Sequence, residues 1–167
     1  MACGSCPYGM AEVAGVIGWK LVAVETGGFL TIFRVNHIAV VVPDVEQALG
    51  FWRDALGLEL ARVEHNEREG VDIAFLPVGE SEIELIAPTS EDSGVARYLS
   101  KTGGGLHHIC VEVDDIAAAL ESLKAKGVEL INEAARTRED GIQYAFVHPR
   151  STGGVLLELY EMPPLPF

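Results

Sequence analysis

Short apolar runs, each opened by a histidine, begin two similar stretches of the chain: "HIAVVV" from His37 and "HICVEV" from His108. Runs of this length, rich in Val and Ile, predict strands. Each is followed by an aspartate, Asp44 or Asp115, and then by apolar residues at helical spacing. That order predicts helices over Val45–Leu56 and Ile116–Lys126, with the aspartate as N-cap and Gly57 or Gly127 just past the end. "LELARVEH" and "VELINEAA" begin the next strands. "GVDIAFLP" (70–77) and "GIQYAFVH" (141–148) alternate between two faces, and "SEIELIAP" (81–88) and "GVLLELYE" (154–161) end each series. Between the series, "TSEDSGVARYLSKTGGG" reads as a short helix entered from a polar cap and left through glycines.

The two series are one pattern repeated. Laying His37–Leu49 over His108–Leu120 gives an offset of 71, and seven of thirteen positions are identical. The expected fold is α+β, built from two tandem β-α-β-β-β modules. Module one spans residues 34–88, a linker helix 89–104, and module two 105–162. Residues 1–33 read as an extension, in which "KLVAVETGGFLTIF" predicts a hairpin turning at Gly27-Gly28. Residues 163–167 form a tail.

Candidate chemistry lies in the first and last strands of each module. Glu82 and Glu84 share one face, since strand side chains alternate. Glu158 lies between Leu157 and Leu159. A carboxylate in an apolar strand is costly to bury unpaired, and for any one of them a solvent-facing strand is a sufficient explanation. The repeat changes that balance. His37 and His108 are equivalent by the offset, and Glu84 and Glu158 both lie in final strands. Two modules related by a pseudo-twofold axis would bring two imidazoles and two carboxylates together from opposite sides. Such a set suits a divalent transition ion with positions open to water or substrate. The offset selects His108 rather than His107. Alternation then turns His107 away from the ion, in a structural or supporting role.

Composition narrows the partners. Net charge is −13, with 49% of residues apolar. A surface so acidic disfavours nucleic acid and anionic membranes, which need a basic footprint. An anionic small molecule responds to local charge and is not excluded. Lys101, Lys124 and Arg150 read as solvated surface charges. Of three cysteines, Cys3 and Cys6 form an isolated CxxC, a weak metal signal, and Cys110 reads as a small core residue. No apolar run is long enough to span a bilayer and the start lacks a basic signal-peptide region, so the expected location is the cytoplasm.

The segments "VNHIAVVVPDVEQALGFWRDALGLEL", "EIELIAP", "GVARYLSKTGGGLHHICVEVDDIAAALESLKAKGVEL" and "FVHPRSTGGVLLELYE" resemble the vicinal oxygen chelate superfamily, and within it the methylmalonyl-CoA epimerase family. The resemblance covers most of residues 34–162. It implies an open, cupped, barrel-like sheet around a metal site. It also implies an acyl-CoA substrate, a homodimer, and epimerisation of methylmalonyl-CoA by removal of the α-proton through a metal-stabilised enolate. His37, Glu84, His108 and Glu158 match the family's metal ligands. Some members carry Gln where Glu84 stands. The set suits cobalt first, with manganese, nickel and zinc also accommodated. Glu158 further matches a carboxylate proposed as catalytic base. A second glutamate proposed as base in one member falls here at Ile73. Asp72 beside it should face the other way, and Tyr144 is its repeat equivalent. Glu84 is then the candidate for the opposite base.

Two other functions share parts of this pattern. A glyoxalase-I-like lyase acting on a glutathione hemithioacetal uses the same ligand types, whereas an extradiol dioxygenase takes two His and one Glu on iron. A metal-free binding module would not need the complete ligand set.

Overall fold

The computed structural model describes residues 31–163. The extension up to Thr31, with its expected hairpin and the Cys3/Cys6 pair, falls almost wholly outside them, as do residues 164–167. The first strand, β1, runs Ile32–Val41, starting two residues ahead of the expected boundary at 34.

Eight strands form one sheet. After β1 come β2 (Arg62–Asn66), β3 (Val71–Val78), β4 (Ser81–Pro88), β5 (Gly105–Val113), β6 (Arg136–Thr137), β7 (Gln143–Val147) and β8 (Leu156–Glu161). Their order across the sheet is β2-β3-β4-β1-β5-β8-β7-β6. Exchanging β1 with β5, β4 with β8, β3 with β7 and β2 with β6 reverses that order onto itself, as the repeat requires. The modules meet along the antiparallel β1–β5 ladder, where Ile38 lies opposite Ile109. Those two residues differ by the repeat offset of 71, so a pseudo-twofold axis passes between them. On either side of it, Ala39 faces His108 and His37 faces Cys110.

Alternation divides the sheet into two faces. One carries Leu85, Ala74 and Leu76 in module one and Val111, Val113, Ala145, Val147 and Leu159 in module two. Each set is covered by its own module's helix. α1 (Val45–Leu49) packs Val45 and Leu49, and α3 (Ile116–Ala125) packs Ile116, Ala119 and Leu120. Both caps form as expected: Asp44 Oδ1 accepts from Gln47 N at 2.7 Å, and Asp115 Oδ1 from Ala118 N at 2.8 Å. α2 (Gly94–Thr102) is the linker helix, capped by Ser93. Its Val95 closes one end of the opposite face over Ala39, Val71, Ile73 and Ile86.

Two expectations need correction. The first helix is not α-helical to Leu56. After Leu49 it widens into a π-helical turn over Gly50–Ala55, where Leu56 N bonds Phe51 O at 2.8 Å. In this turn Trp52 remains packed beside Leu49 on the core. Spacing of apolar residues alone does not register one extra residue per turn. In module two, "VELINEAA" is not a strand. It makes only a bridge from Leu130 to Val147, and pairing resumes in the two residues of β6. The nearly buried Asn132 side chain accepts from Phe146 N at 3.0 Å. It thereby takes a backbone donor that a ladder would use, a competition open to short polar side chains. Among the described residues, no helix is long and apolar enough to cross a membrane.

Candidate metal centre

The face opposite the helices carries the polar groups. Four of them are almost wholly buried: His37 at 2% exposure, Glu158 at 5%, His108 at 6% and Glu84 at 9%. They come from the four central strands, in the order β4, β1, β5, β8. Register places them at equivalent positions. Glu84 lies beside Ala39 in β4–β1, and Glu158 beside Cys110 in β8–β5. Phe75 opposite Glu84 and Phe146 opposite Glu158 repeat the same relation at the offset of 71. Ala39 and Cys110 are fully buried on this floor. Their small side chains leave room for the longer ones to meet above them. Cys110 is thus a core residue as expected, and it also forms the floor of the site.

Three donors converge. His37 Nε2 and His108 Nε2 stand 2.9 Å apart, and Glu158 Oε2 lies 3.2 Å from the first and 3.1 Å from the second. Within the described residues this is the one cluster of three or more such side chains with all ligand atoms inside 4.8 Å. Glu84 sits differently. Its Oε1 lies 3.6 Å from His37 Nδ1, on the other edge of that ring. The fourth expected ligand is therefore next to the cluster but does not share its focus.

Burial and hydrogen bonding separate the two carboxylates. Burial alone would raise Glu158, but hydrogen bonds from His108 and His37 overcome it and hold the carboxyl below its ordinary range. Glu84 is raised: burial outweighs the attraction of His37 and His108. For His37 itself, burial lowers the ring, and the Glu158 hydrogen bond with the Glu84 charge more than offset this, so it ends raised. Burial and then the nearby His108 push His107 down to about 4, which keeps that ring neutral.

The structure corrects the placement of His107. Pairing jumps from Ala39–His108 to Val40–Leu106, so His107 is the extra residue of a β-bulge. A bulge breaks strict alternation. The His107 ring therefore reaches its neighbour, Nδ1 to Nδ1, at 2.8 Å. Its direction therefore does not follow the simple rule of alternation. Asp72 does face away, bonded to His65. Ile73 lies opposite Ile86 in apolar packing and offers no proton-carrying group. Tyr144 lies opposite Tyr160 and is half-buried. Lys124 and Arg150 pair with nearby surface glutamates.

Several site residues have no signal in the sequence pattern. A cavity of about 190 Å³ opens beside His37 and Glu84, walled by Phe75, Tyr160, Arg62 and Arg138. Arg62 lies 3.5 Å over the Phe75 ring and pairs with Glu64. Arg138 donates to Tyr160 Oη at 2.9 Å, and the Tyr160 ring packs edge-on against His37. A larger hollow of about 300 Å³, near the β3–β4 hairpin, is lined by none of the four buried residues.

Two imidazole nitrogens and one carboxylate oxygen that share a focus make a donor set of the kind that binds a divalent transition ion. All three donor atoms are buried and lie within 3.2 Å of one another. The residues fit a metal. The fold and this centre define a class: the sequence profile of the glyoxalase/bleomycin resistance protein/dioxygenase superfamily matches residues 36–146, and the chain belongs to that superfamily. Within it, epimerases match at 33–41% identity and probable lactoylglutathione lyases at 27–29%. The mitochondrial methylmalonyl-CoA epimerase of Mus musculus is 41% identical over 129 residues, covering 77% of this chain and 72% of that protein. The ethylmalonyl-CoA/methylmalonyl-CoA epimerase of Cereibacter sphaeroides is 37% identical, covering 78% of this chain and 99% of its own. A variant of the Streptomyces coelicolor methylmalonyl-CoA epimerase, solved with 2-nitronate-propionyl-CoA, superposes with a TM-score of 0.72 at 33% identity. That match covers 80% of this chain and 97% of the other.

Proposed function

We propose that this chain is a methylmalonyl-CoA epimerase that works with a divalent ion held by His37, His108 and Glu158, with Glu84 as the fourth ligand. The observation that carries the reading is the buried convergence of those three side chains at the junction of the two modules, in a chain whose relatives bear that name. Cobalt is the first expectation, with manganese, nickel and zinc compatible with the same donors.

The reaction inverts the carbon between a thioester and a carboxylate. Its hydrogen is weakly acidic, and removing it puts negative charge on the thioester oxygen. A divalent ion supplies Lewis-acid stabilisation of such charge, on the scale by which zinc lowers the pKa of bound water from about 15.7 to about 7, or on the order of 12 kcal/mol.

The protein's own groups supply the proton traffic. Inversion needs a proton taken from one face and returned on the other, hence one group on each side. Glu158 comes from module two and Glu84 from module one, flanking the histidine pair across the sheet. Glu158, held as a carboxylate, takes the proton in one direction. Glu84, on the opposite side, is the group that would return one. The glutathione-dependent lyase and the metal-free module lose ground to the relatives and to the donor cluster respectively.

The test is exchange of the α-proton of methylmalonyl-CoA in deuterated water, followed by proton NMR, on metal-loaded and chelator-treated protein. Rapid exchange that stops with the chelator, with both epimers converging on one mixture, is expected. No exchange with any divalent ion would overturn the proposal.

A further inference from the structure

β1 and β5 each carry an extra residue directly before the ligand histidine. In β5 it is His107. In β1 the pairing jumps from Val35–Val111 to His37–Cys110, so Asn36 is the extra residue. Asn36 and His107 differ by 71, the repeat offset, although the two residues are not identical. Each bonds Nδ1 of the histidine that follows it. Asn36 Oδ1 lies 3.0 Å from His37 Nδ1, and His107 Nδ1 lies 2.8 Å from His108 Nδ1.

The geometry points to Asn36 and His107 as a symmetric pair of positioning residues. Each bulge turns a side chain back onto its histidine so that, once an ion replaces the Nε2 contacts to Glu158, Nδ1 carries the proton and Nε2 gives its lone pair to the ion. A neutral imidazole has one donor and one acceptor nitrogen, and the bond made by one fixes the role of the other. At His37 the direction is set by a further contact. Asn36 Nδ2 donates to Glu112 Oε2 at 3.3 Å, and a carboxylate accepts only. The amide oxygen must then face His37, and the His37 Nδ1–H donates to it. Glu112 is held in turn by Arg34, whose Nε donates at 3.0 Å and whose Nη1 donates to Glu80 O at 2.8 Å. At His108 the support comes from the linker helix. The Tyr98 ring packs edge-on against His107 with centroids 4.9 Å apart, and its hydroxyl donates to Leu106 O at 2.6 Å. One fold element, the bulge, thus solves the same problem twice with different side chains.

The inference rests on the metal reading above but not on the epimerase activity, and cobalt(II) binding tests it directly. Chelator competition gives the affinity, and the visible absorption of the bound ion reports its coordination. Asn36→Leu keeps the bulk and removes the acceptor, and His107→Phe keeps the ring and removes it. Each should lower cobalt affinity by about 10–100-fold, the range for lost outer partners of ligand histidines, and shift the absorption. Asn36→Asp made together with Glu112→Gln reverses the donor–acceptor pair and should restore wild-type binding. Folded Leu and Phe variants with wild-type affinity and spectrum would overturn the assignment. If either variant fails to fold, failure of the double variant to bind more tightly than an Asn36→Ala protein would overturn it as well. Cobalt binding that responds as expected, in a protein without deuterium exchange, would sink the epimerase reading and leave this one standing. A wild-type protein that binds neither cobalt nor manganese, nickel or zinc would end both.

Discussion

At the scale of single residues, the site asks for different properties from Glu84 and Glu158. Glu158 touches both histidines and is tied to the metal cluster, whereas Glu84 meets only the outer edge of His37. Removing them should therefore have different consequences. Glu158→Gln is expected to weaken cobalt binding and to reduce α-proton exchange by about 10²–10⁴-fold, the usual range for a lost general base. Glu84→Gln is expected to leave exchange of one epimer running with its configuration retained while epimerisation slows. The ratio of exchange to inversion by NMR and chiral separation reads the difference. Equal losses of exchange and inversion in Glu84→Gln would contradict a role on the opposite face. The floor beneath is equally specific. Cys110 has no exposed surface and lies opposite both His37 and Glu158. Cys110→Ala should be tolerated. Cys110→Leu adds volume where none is free, with an expected loss of about 1–3 kcal/mol in denaturant unfolding and a loss of cobalt binding.

At the scale of elements, the strands that deliver ligands are aligned by their ends. Gly104, just before β5, has φ of +101°, and a Cβ there would stand 2.8 Å from Val41 O. That backbone is the far end of β1, which also carries His37. Gly104→Ala must therefore move β5 against β1, in a conformation that L side chains rarely adopt. It should destabilise by more than about 1 kcal/mol and reduce cobalt affinity, with denaturant unfolding and chelator competition as the readouts. The caps give a milder counterpart. Asp44→Ala and Asp115→Ala each remove an equivalent bond and should each lose about 1 kcal/mol in unfolding while cobalt binding stays near wild type. Helix starts of this kind were legible in the sequence because an N-cap is a local bond between neighbours in the chain. The π-helical turn after Leu49 and the interrupted strand at Asn132 were not, because each depends on what the segment packs against or bonds to across the sheet.

At the scale of the whole molecule, neither module holds the centre alone. His37 and Glu84 come from one half, His108 and Glu158 from the other, and the β1–β5 ladder fixes them together. Metal bound there ties the halves in the folded state and not in the unfolded chain. Thermal unfolding should therefore rise with divalent ion, by about 2.7 kcal/mol in stability when free metal is 100 times its dissociation constant. Calorimetry with and without chelator measures this. An unchanged midpoint would show that no ion binds the folded state in preference to the unfolded chain.

What the sequence determined by itself was whatever repeats or acts locally. The offset of 71 between "HIAVVVPDVEQAL" and "HICVEVDDIAAAL" settled two like modules, the α+β elements and the equivalence of His37 with His108. Apolar residues around Glu84 and Glu158 marked both carboxylates as out of place. The tertiary structure decided the rest, because it depends on long-range register. Pairing across β1–β5 set the bulges that turn Asn36 and His107 onto the ligand histidines. Convergence put three donors at one point and left Glu84 at its edge. Periodicity assigns a side chain to a face. Only the pairing of strands distant in the chain fixes where along that face it stands, and the chemistry depends on those few ångströms.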